Sequence, residues 1–145
     1  MEKQDYIARI QAAFQITFQK MQPELHESMN EQGITPSQLF VLIFLKKGGS
    51  CKVTQLAEKL DVKPSAATTM VDRLVQNEFV IREHDQKDRR VVNISITKRG
   101  EEKLDKVFEA RKAIVRKYLA YLSEEELSSM AAIAEKLASS ITEEF

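Results

Sequence analysis

Tryptophan is missing from this 145-residue chain, cysteine occurs once, and glycine and proline number only four and three. A single cysteine, Cys51, excludes an internal disulfide framework and fits a reducing cytosol. So few Gly and Pro argue against a turn-rich β fold and for long helices. No apolar run reaches the roughly 18 to 20 residues that a membrane span needs. The opening MEKQDYIARI carries no signal-peptide hydrophobic region, so a cytoplasmic protein without membrane contact is expected. Net charge is lacking too, since 22 Lys and Arg balance 22 Asp and Glu. That balance counts mildly against a polyanionic partner. It is uneven, however: Arg82, Lys87, Arg89, Arg90, Lys98 and Arg99 crowd together, while the C-terminal stretch is acid-rich. A local basic patch can bind an anion while the remaining surface is neutral or acidic. Gly-rich phosphate loops and nucleophile elbows are absent, and His26, His84 and Cys51 lie too far apart for a metal spacing. No enzyme, metal or cofactor is expected.

What is present is an apolar content of 43% and a charged content of 30%, the balance of a globular domain long enough to bury a core. Ile7, Ile10, Phe14, Phe18, Met21, Leu25 and Met29 recur at spacings of three and four and predict one helix. Pro23 should bend or break it, and Gly33 should end it. Thr35-Pro36-Ser37-Gln38 is a helix start with a cap, a first-turn proline and a capping-box glutamine. Leu39 to Leu45 is apolar all round and predicts a buried helix. A short extended piece around Cys51 to Val53 follows. Thr54 should cap a brief helix holding Leu56, Ala57 and Leu60. Asp61-Val62-Lys63 is a three-residue turn, and Pro64 opens a helix to about Asn77; two helices so joined have helix-turn-helix spacing. Phe79 to His84 and Arg90 to Ile96 read as two strands, the second alternating Val92, Ile94 and Ile96 with polar residues. Their charged link, Asp85 to Arg89, makes a hairpin tip. Thr97 caps a long helix with Leu104, Val107, Phe108, Ile114, Val115 and Tyr118 on one side. Ser123 and Glu126 box the last helix, whose stripe is Leu127, Met130, Ala134, Leu137, Ile141 and Phe145.

The helix from Pro64 separates into two faces. Ala67, Val71, Leu74 and Val75 turn to the core, with Met70 beside them. Ala66, Thr69, Arg73 and Gln76 share the outward side, flanked by Ser65 and Thr68. Small polar residues at the start of a helix let its backbone approach a major groove. Hydroxyls can meet phosphates or base edges, and methyls can touch thymine. The helix N-terminus favours a phosphate, and Arg73 can reach guanine or backbone. Arginines on a thin ribbon, as in Asp88-Arg89-Arg90, can enter a narrow minor groove. Asp88 can hold one guanidinium through a bidentate pair. A solvated helix face and a solvated charged turn are the plainer readings of each feature taken alone.

Together these segments carry a resemblance. Leu56-Ala57-Glu58-Lys59-Leu60, Pro64-Ser65, Val71-Asp72-Arg73-Leu74, Phe79-Val80-Ile81-Arg82 and Asp88-Arg89-Arg90 resemble the MarR family of bacterial regulators over nearly the whole chain. The resemblance implies a mainly α fold with a small β-hairpin wing (α+β): a winged helix-turn-helix flanked by N- and C-terminal dimerisation helices. Residues 35–97 would form the DNA-binding domain, and 1–34 with 98–145 the helical dimerisation region. It implies a repressor or activator acting on duplex DNA, often released by a small ligand or by oxidation. By the resemblance, Ser65, Ala66, Thr68, Thr69 and Arg73 face the groove, Arg89 and Arg90 are the wing arginines, and Asp88 orients them. Lys63 and Lys87 complete the expected DNA contacts. Three departures stand out. Lys63 replaces a small cap. Glu78 replaces a glycine, leaving Asn77 to take the left-handed turn. The first helix lacks the cysteine of the family's peroxide sensors.

The apolar stripes of the first and last helices are hard to cover from within a domain of this size. A two-fold interface of helices from both chain ends would bury them, making a homodimer that reads a near-palindromic site. A closed monomeric core is the alternative. Phe14, Phe18, Met21, His26 and Phe40 either line an effector pocket between the helical and DNA-binding parts or are plain core. Cys51 is either a small buried hydrophobe or a thiol switch. The rival to DNA binding is a winged-helix module that binds protein.

Overall fold

The computed structural model describes residues 2–142. The elements are α1 (Lys3–Glu31), α2 (Pro36–Gly48), β1 (Cys51–Lys52), α3 (Val53–Leu60), α4 (Pro64–Gln76), β2 (Val80–His84), β3 (Val92–Ile96), α5 (Lys98–Leu119) and α6 (Glu124–Thr142). The chain divides into two compact units, Met1–Arg111 and Lys112–Phe145.

In the first unit the strands form an antiparallel sheet in the order β1-β3-β2. Val80 faces Ile96 and His84 faces Val92 in the hairpin, and Cys51 pairs with Ile94 on the other side. The two-residue β1 falls within the short extended piece expected around Cys51 to Val53. It converts the hairpin into a three-stranded sheet and anchors its base to the helix-turn-helix. Val41, Leu42, Leu45, Leu56, Val71, Leu74, Val80, Ile94, Leu104 and Val107 form the buried centre. Three helices, the sheet and the start of α5 thus share one core.

The caps explain where the helices begin. Thr35 and Gln38 exchange hydrogen bonds, the Gln38 N–H donating to Thr35 Oγ1 at 3.2 Å and the Thr35 N–H to Gln38 Oε1 at 3.0 Å. At α5, the Gly100 N–H donates to Thr97 Oγ1 at 3.0 Å. Ser123 and Glu126 make the predicted reciprocal box before α6. Gly33 holds φ at +69°, a left-handed position just past α1.

Five local expectations need correction. Pro23 does not break α1, which runs through it. Gln19 and Pro23 are both exposed, so water can satisfy the carbonyl that the proline leaves without a donor. Thr54 is not the cap of α3. The helix starts two residues earlier than that cap implies, at Val53 with Lys52 as cap, and the Lys52 N–H donates to Gln55 Oε1 at 2.9 Å. Within α2 one side stays open: Leu39, Val41, Leu42 and Leu45 are buried, while Phe40 is exposed and stacks on Phe44. The hairpin strands are shorter than read, because Phe79, Arg90 and Val91 lie outside them. The fifth correction concerns the end of α4. Asn77 stays right-handed at φ −79°, and Glu78 takes the left-handed turn at φ +63°.

In α6, Leu127 is half-buried and Met130, Ala134, Leu137 and Ile141 are exposed; Phe145 lies outside the described residues. Among the described residues no helix is long and apolar enough to cross a membrane.

Candidate nucleic-acid interface

The tight turn between α3 and α4 depends on Asp61, whose φ of +53° is left-handed. The Val62 N–H closes back on the Ala57 carbonyl at 3.1 Å. Aspartate tolerates this conformation better than most residues. The turn delivers Lys63 as the cap of α4 without a side-chain cap bond, so the first-turn N–H groups gain no intrahelical carboxylate or hydroxyl partner. A phosphate is a suitable partner for such an end.

Ala67, Val71 and Leu74 of α4 are buried. Ser65, Thr68, Thr69, Arg73 and Gln76 are exposed, and Ala66 is half-buried. The two threonines are not idle donors. Thr68 Oγ1 donates to the Pro64 carbonyl at 3.0 Å and Thr69 Oγ1 to the Ser65 carbonyl at 3.1 Å. With their protons turned back into the helix, both exposed threonines have only methyl groups and oxygen lone pairs left for a partner. That surface suits a thymine methyl or a base amino group better than a phosphate, which needs a donor.

The hairpin tip is ordered by its own polar groups. The Asp85 N–H donates to the Val91 carbonyl at 2.9 Å, and the Val91 N–H to the Asp88 carbonyl at 3.0 Å. The Lys87 N–H donates to Asp85 Oδ1 at 3.1 Å. Asp88 accepts from the Arg90 backbone at 3.1 Å, from Arg90 Nε at 3.2 Å and from Arg90 Nη2 at 3.4 Å. These bonds, the guanidinium contacts first, hold the Asp88 carboxyl below its ordinary range. The Arg90 side chain is nonetheless 91% exposed. Its guanidinium is therefore aimed and still available. Lys87 and Arg89 are exposed as well.

Two links tie α4 to the sheet and the following helix. Arg82 on β2 pairs with Asp72 on α4, one residue from the outward Arg73. Glu78 receives the Arg99 guanidinium on its carboxylate at 2.6 Å and the Thr97 hydroxyl on its carbonyl, also at 2.6 Å. Sequence reasoning placed Arg82 and Arg99 in a basic patch without naming partners for them. Their partners lie 10 and 21 residues away, beyond any helical or strand period, so no local pattern could have paired them.

Along α1, Phe14 and Phe18 sit with ring centroids 5.8 Å apart. Phe14 and Phe18 line one shallow groove with Ile7 and Ile10, and Phe18 and His26 line another with Pro23. Met21 is buried, and neither it nor Phe40 lines either groove. A further cleft, lined in part by Phe44, Ser50, Cys51, Gln55 and Lys59, opens beside β1. Cys51 is buried at its edge, and burial pushes its thiol pKa up, which favours the unreactive protonated form. Among the described residues no group of three or more His, Cys, Asp or Glu could hold a metal ion.

The MarR family profile matches residues 34–92, from the connection before α2 to the start of β3. The chain is 53% identical over 129 residues to the HTH-type transcriptional repressor MdtR of Bacillus subtilis (strain 168), covering 89% of this chain and 83% of that one. The crystal structure of the YusO protein from Bacillus subtilis superposes with a TM-score of 0.84 at 49% identity, covering 96% of this chain and 99% of that one. A MepR-like protein crystallised with pseudoligands shares 41% identity at a TM-score of 0.59, with 94% and 96% covered.

Proposed function

Since the chain belongs to the MarR family of transcriptional regulators, we propose that it is a repressor that binds a near-palindromic duplex operator as a homodimer. A family of regulators is not a family of enzymes, and the chemistry of this surface is recognition. Ser65, Ala66, Thr68, Thr69 and Arg73 of α4 read the major groove, with Lys63 on a phosphate. Lys87, Arg89 and Arg90 of the wing engage the adjacent minor groove and backbone. The observation that carries this reading is the state of Arg90: almost wholly open to water, yet fastened to Asp88 at its backbone and guanidinium. A solvent-exposed arginine normally samples many rotamers, and fixing one costs on the order of 1.5 to 2 kcal/mol. A wing that has already restricted its arginine lowers that cost when the groove arrives.

The dimer is the second part of the proposal. In α1, every residue from Lys3 to Lys20 is exposed, including Tyr6, Ile7, Ile10, Phe14, Ile16 and Phe18. In α6, Met130, Ile133, Leu137 and Ile141 are exposed. Most of the stability of a helix in a protein comes from packing its apolar face. A second copy supplies that face, and a two-fold axis sets the recognition helices about 34 Å apart, one DNA turn. Release by a small apolar effector belongs to the same reading. Of the expected residues Phe14, Phe18, Met21, His26 and Phe40, those that line the grooves on α1 are Phe14, Phe18 and His26, and the MepR-like relative crystallised with pseudoligands lends support by analogy.

Selection of genomic fragments with purified protein tests the proposal. Recovered fragments should share an inverted repeat, and affinity should fall steeply with salt, by about tenfold or more between 50 and 200 mM. Arg73→Ala and Arg90→Ala should weaken binding while leaving the dimer folded. Fragments without a shared repeat, together with no salt dependence, would instead favour a protein partner.

A further inference from the structure

The two wing arginines are held by different devices. Asp88 fastens Arg90. The contact at Arg89 comes from the opposite strand: His84, the last residue of β2, places its Nδ1 2.8 Å from the Arg89 carbonyl oxygen. A carbonyl only accepts, so Nδ1 carries the proton and donates. The bond spans the mouth of the loop, since His84 pairs with Val92 across the hairpin and the Asp85 N–H already closes onto Val91. Three successive residues are thereby each tied, Arg89 by His84, Arg90 by Asp88, and Val91 by Asp85 and Asp88.

We propose that His84 is a positioning residue for DNA binding, fixing through its Nδ1–H the backbone from which Arg89 projects. The inference rests on the DNA-binding reading above and assigns a role to a side chain that need not touch DNA. A seven-residue tip between paired strands has freedom to twist about its ends. Arg89 sits midway between the Asp88 turn and the β3 ladder, where a rotation of its peptide would swing the guanidinium away from a groove. The imidazole bond blocks that rotation. Geometry also fixes which substitute can serve. The side-chain amide nitrogen of asparagine lies the same number of bonds from Cα as His Nδ1, whereas that of glutamine lies one bond farther out.

The test is a set of binding curves on a fluorescent duplex that carries the repeat selected by the wild-type protein. His84→Ala and His84→Gln should bind about threefold to tenfold more weakly, the loss of one hydrogen bond. His84→Asn should come within about twofold of the wild type. The double variant His84→Ala/Arg89→Ala should be no weaker than Arg89→Ala alone, because both act through one side chain. Thermal unfolding should leave all variants folded, His84 being exposed. On the free wild-type protein, imidazole nitrogen NMR of the neutral ring should place the proton on Nδ1. Wild-type affinity in His84→Ala beside a weakened Arg89→Ala would overturn the inference alone. So would additive losses, which would mean that His84 meets the DNA itself, or a proton on Nε2. If the wild type binds no duplex, the DNA-binding reading falls and this inference with it.

Discussion

Asp88 and Arg90 form an ion pair in open water, where most such pairs contribute little to stability. Its value here is directional, and a charge-neutral substitution separates the two. Asp88→Asn preserves size and a hydrogen-bond acceptor but removes the charge that draws both Arg90 Nε and Nη2. We expect no measurable change in unfolding midpoint and a loss in operator affinity of about threefold to tenfold by fluorescence anisotropy. Equal affinity in the two proteins would show that Arg90 needs no orientation. The pH dependence follows from the direction of the shift. Bonding to Arg90 lowers the Asp88 pKa in the folded wing, so its contribution is complete above the ordinary aspartate range. It fades only as pH falls through the lowered value. Titrating affinity between pH 5 and 8 should therefore reveal no inflection from this group. The tripeptide Asp88-Arg89-Arg90 was legible in the sequence as a charged tip with an orienting acid. Its separate hold on Arg89 was not, because the partner, His84, stands at the end of a strand where side-chain direction depends on register.

At the scale of elements, the sequence pattern located the six helices and both hairpin strands of the described residues, and the errors cluster where one element meets another. The end of α4 is the instructive case. Local propensity favours asparagine over glutamate for a left-handed residue, which points to Asn77. Glu78 takes the position instead, held there by the Thr97 hydroxyl on its carbonyl, from just before α5, and by Arg99 of α5 on its carboxylate. The same junction requires Gly100. A Cβ on that residue would stand 2.2 Å from the Phe79 carbonyl oxygen and 2.8 Å from Ile96 Cγ1, and the Phe79 carbonyl cannot retreat, since it accepts the Thr97 N–H at 3.0 Å. Lys103 reinforces the packing by donating to the Gln32 carbonyl at 2.7 Å while its ammonium lies 5.8 Å from the Phe79 ring centroid. Gly100→Ala should thus separate the start of α5 from the wing and destabilise the protein by about 2 kcal/mol, within the usual range for overpacking. Urea unfolding followed by circular dichroism measures this. An unchanged midpoint would mean that the junction has slack which the close approach of Gly100 conceals.

For the molecule as a whole, the decisive quantity is apolar surface with no cover inside one chain. The stripes on α1 and α6 were legible as helical spacing, but spacing cannot tell whether a face packs within the chain or against another. Exposure separates the cases. Met21 and Met29 of α1 are buried, whereas Ile7, Ile10 and Phe14 on the same stripe remain open. Exposed apolar residues scattered singly are ordinary, but a continuous line of them marks an interaction surface. Burying a side chain such as Ile or Leu contributes roughly 1.5 to 3 kcal/mol, so several on each helix provide ample drive for association even after its entropic cost. Sedimentation at micromolar concentration should accordingly give the mass of two chains. Ile10→Glu and Leu137→Glu, each placing a charge on one of these faces, should shift that mass toward one chain. The first should also lower helicity, because most of a helix's stability comes from the face it packs. Both should lose affinity for an inverted repeat by about 100-fold or more, since linked half-sites gain at least that factor from joint engagement, while weak binding to a single half-site persists through α4 and the wing. A wild-type chain that sediments as a monomer with α1 fully helical would contradict the interface and, with it, the spacing that makes a palindromic operator necessary.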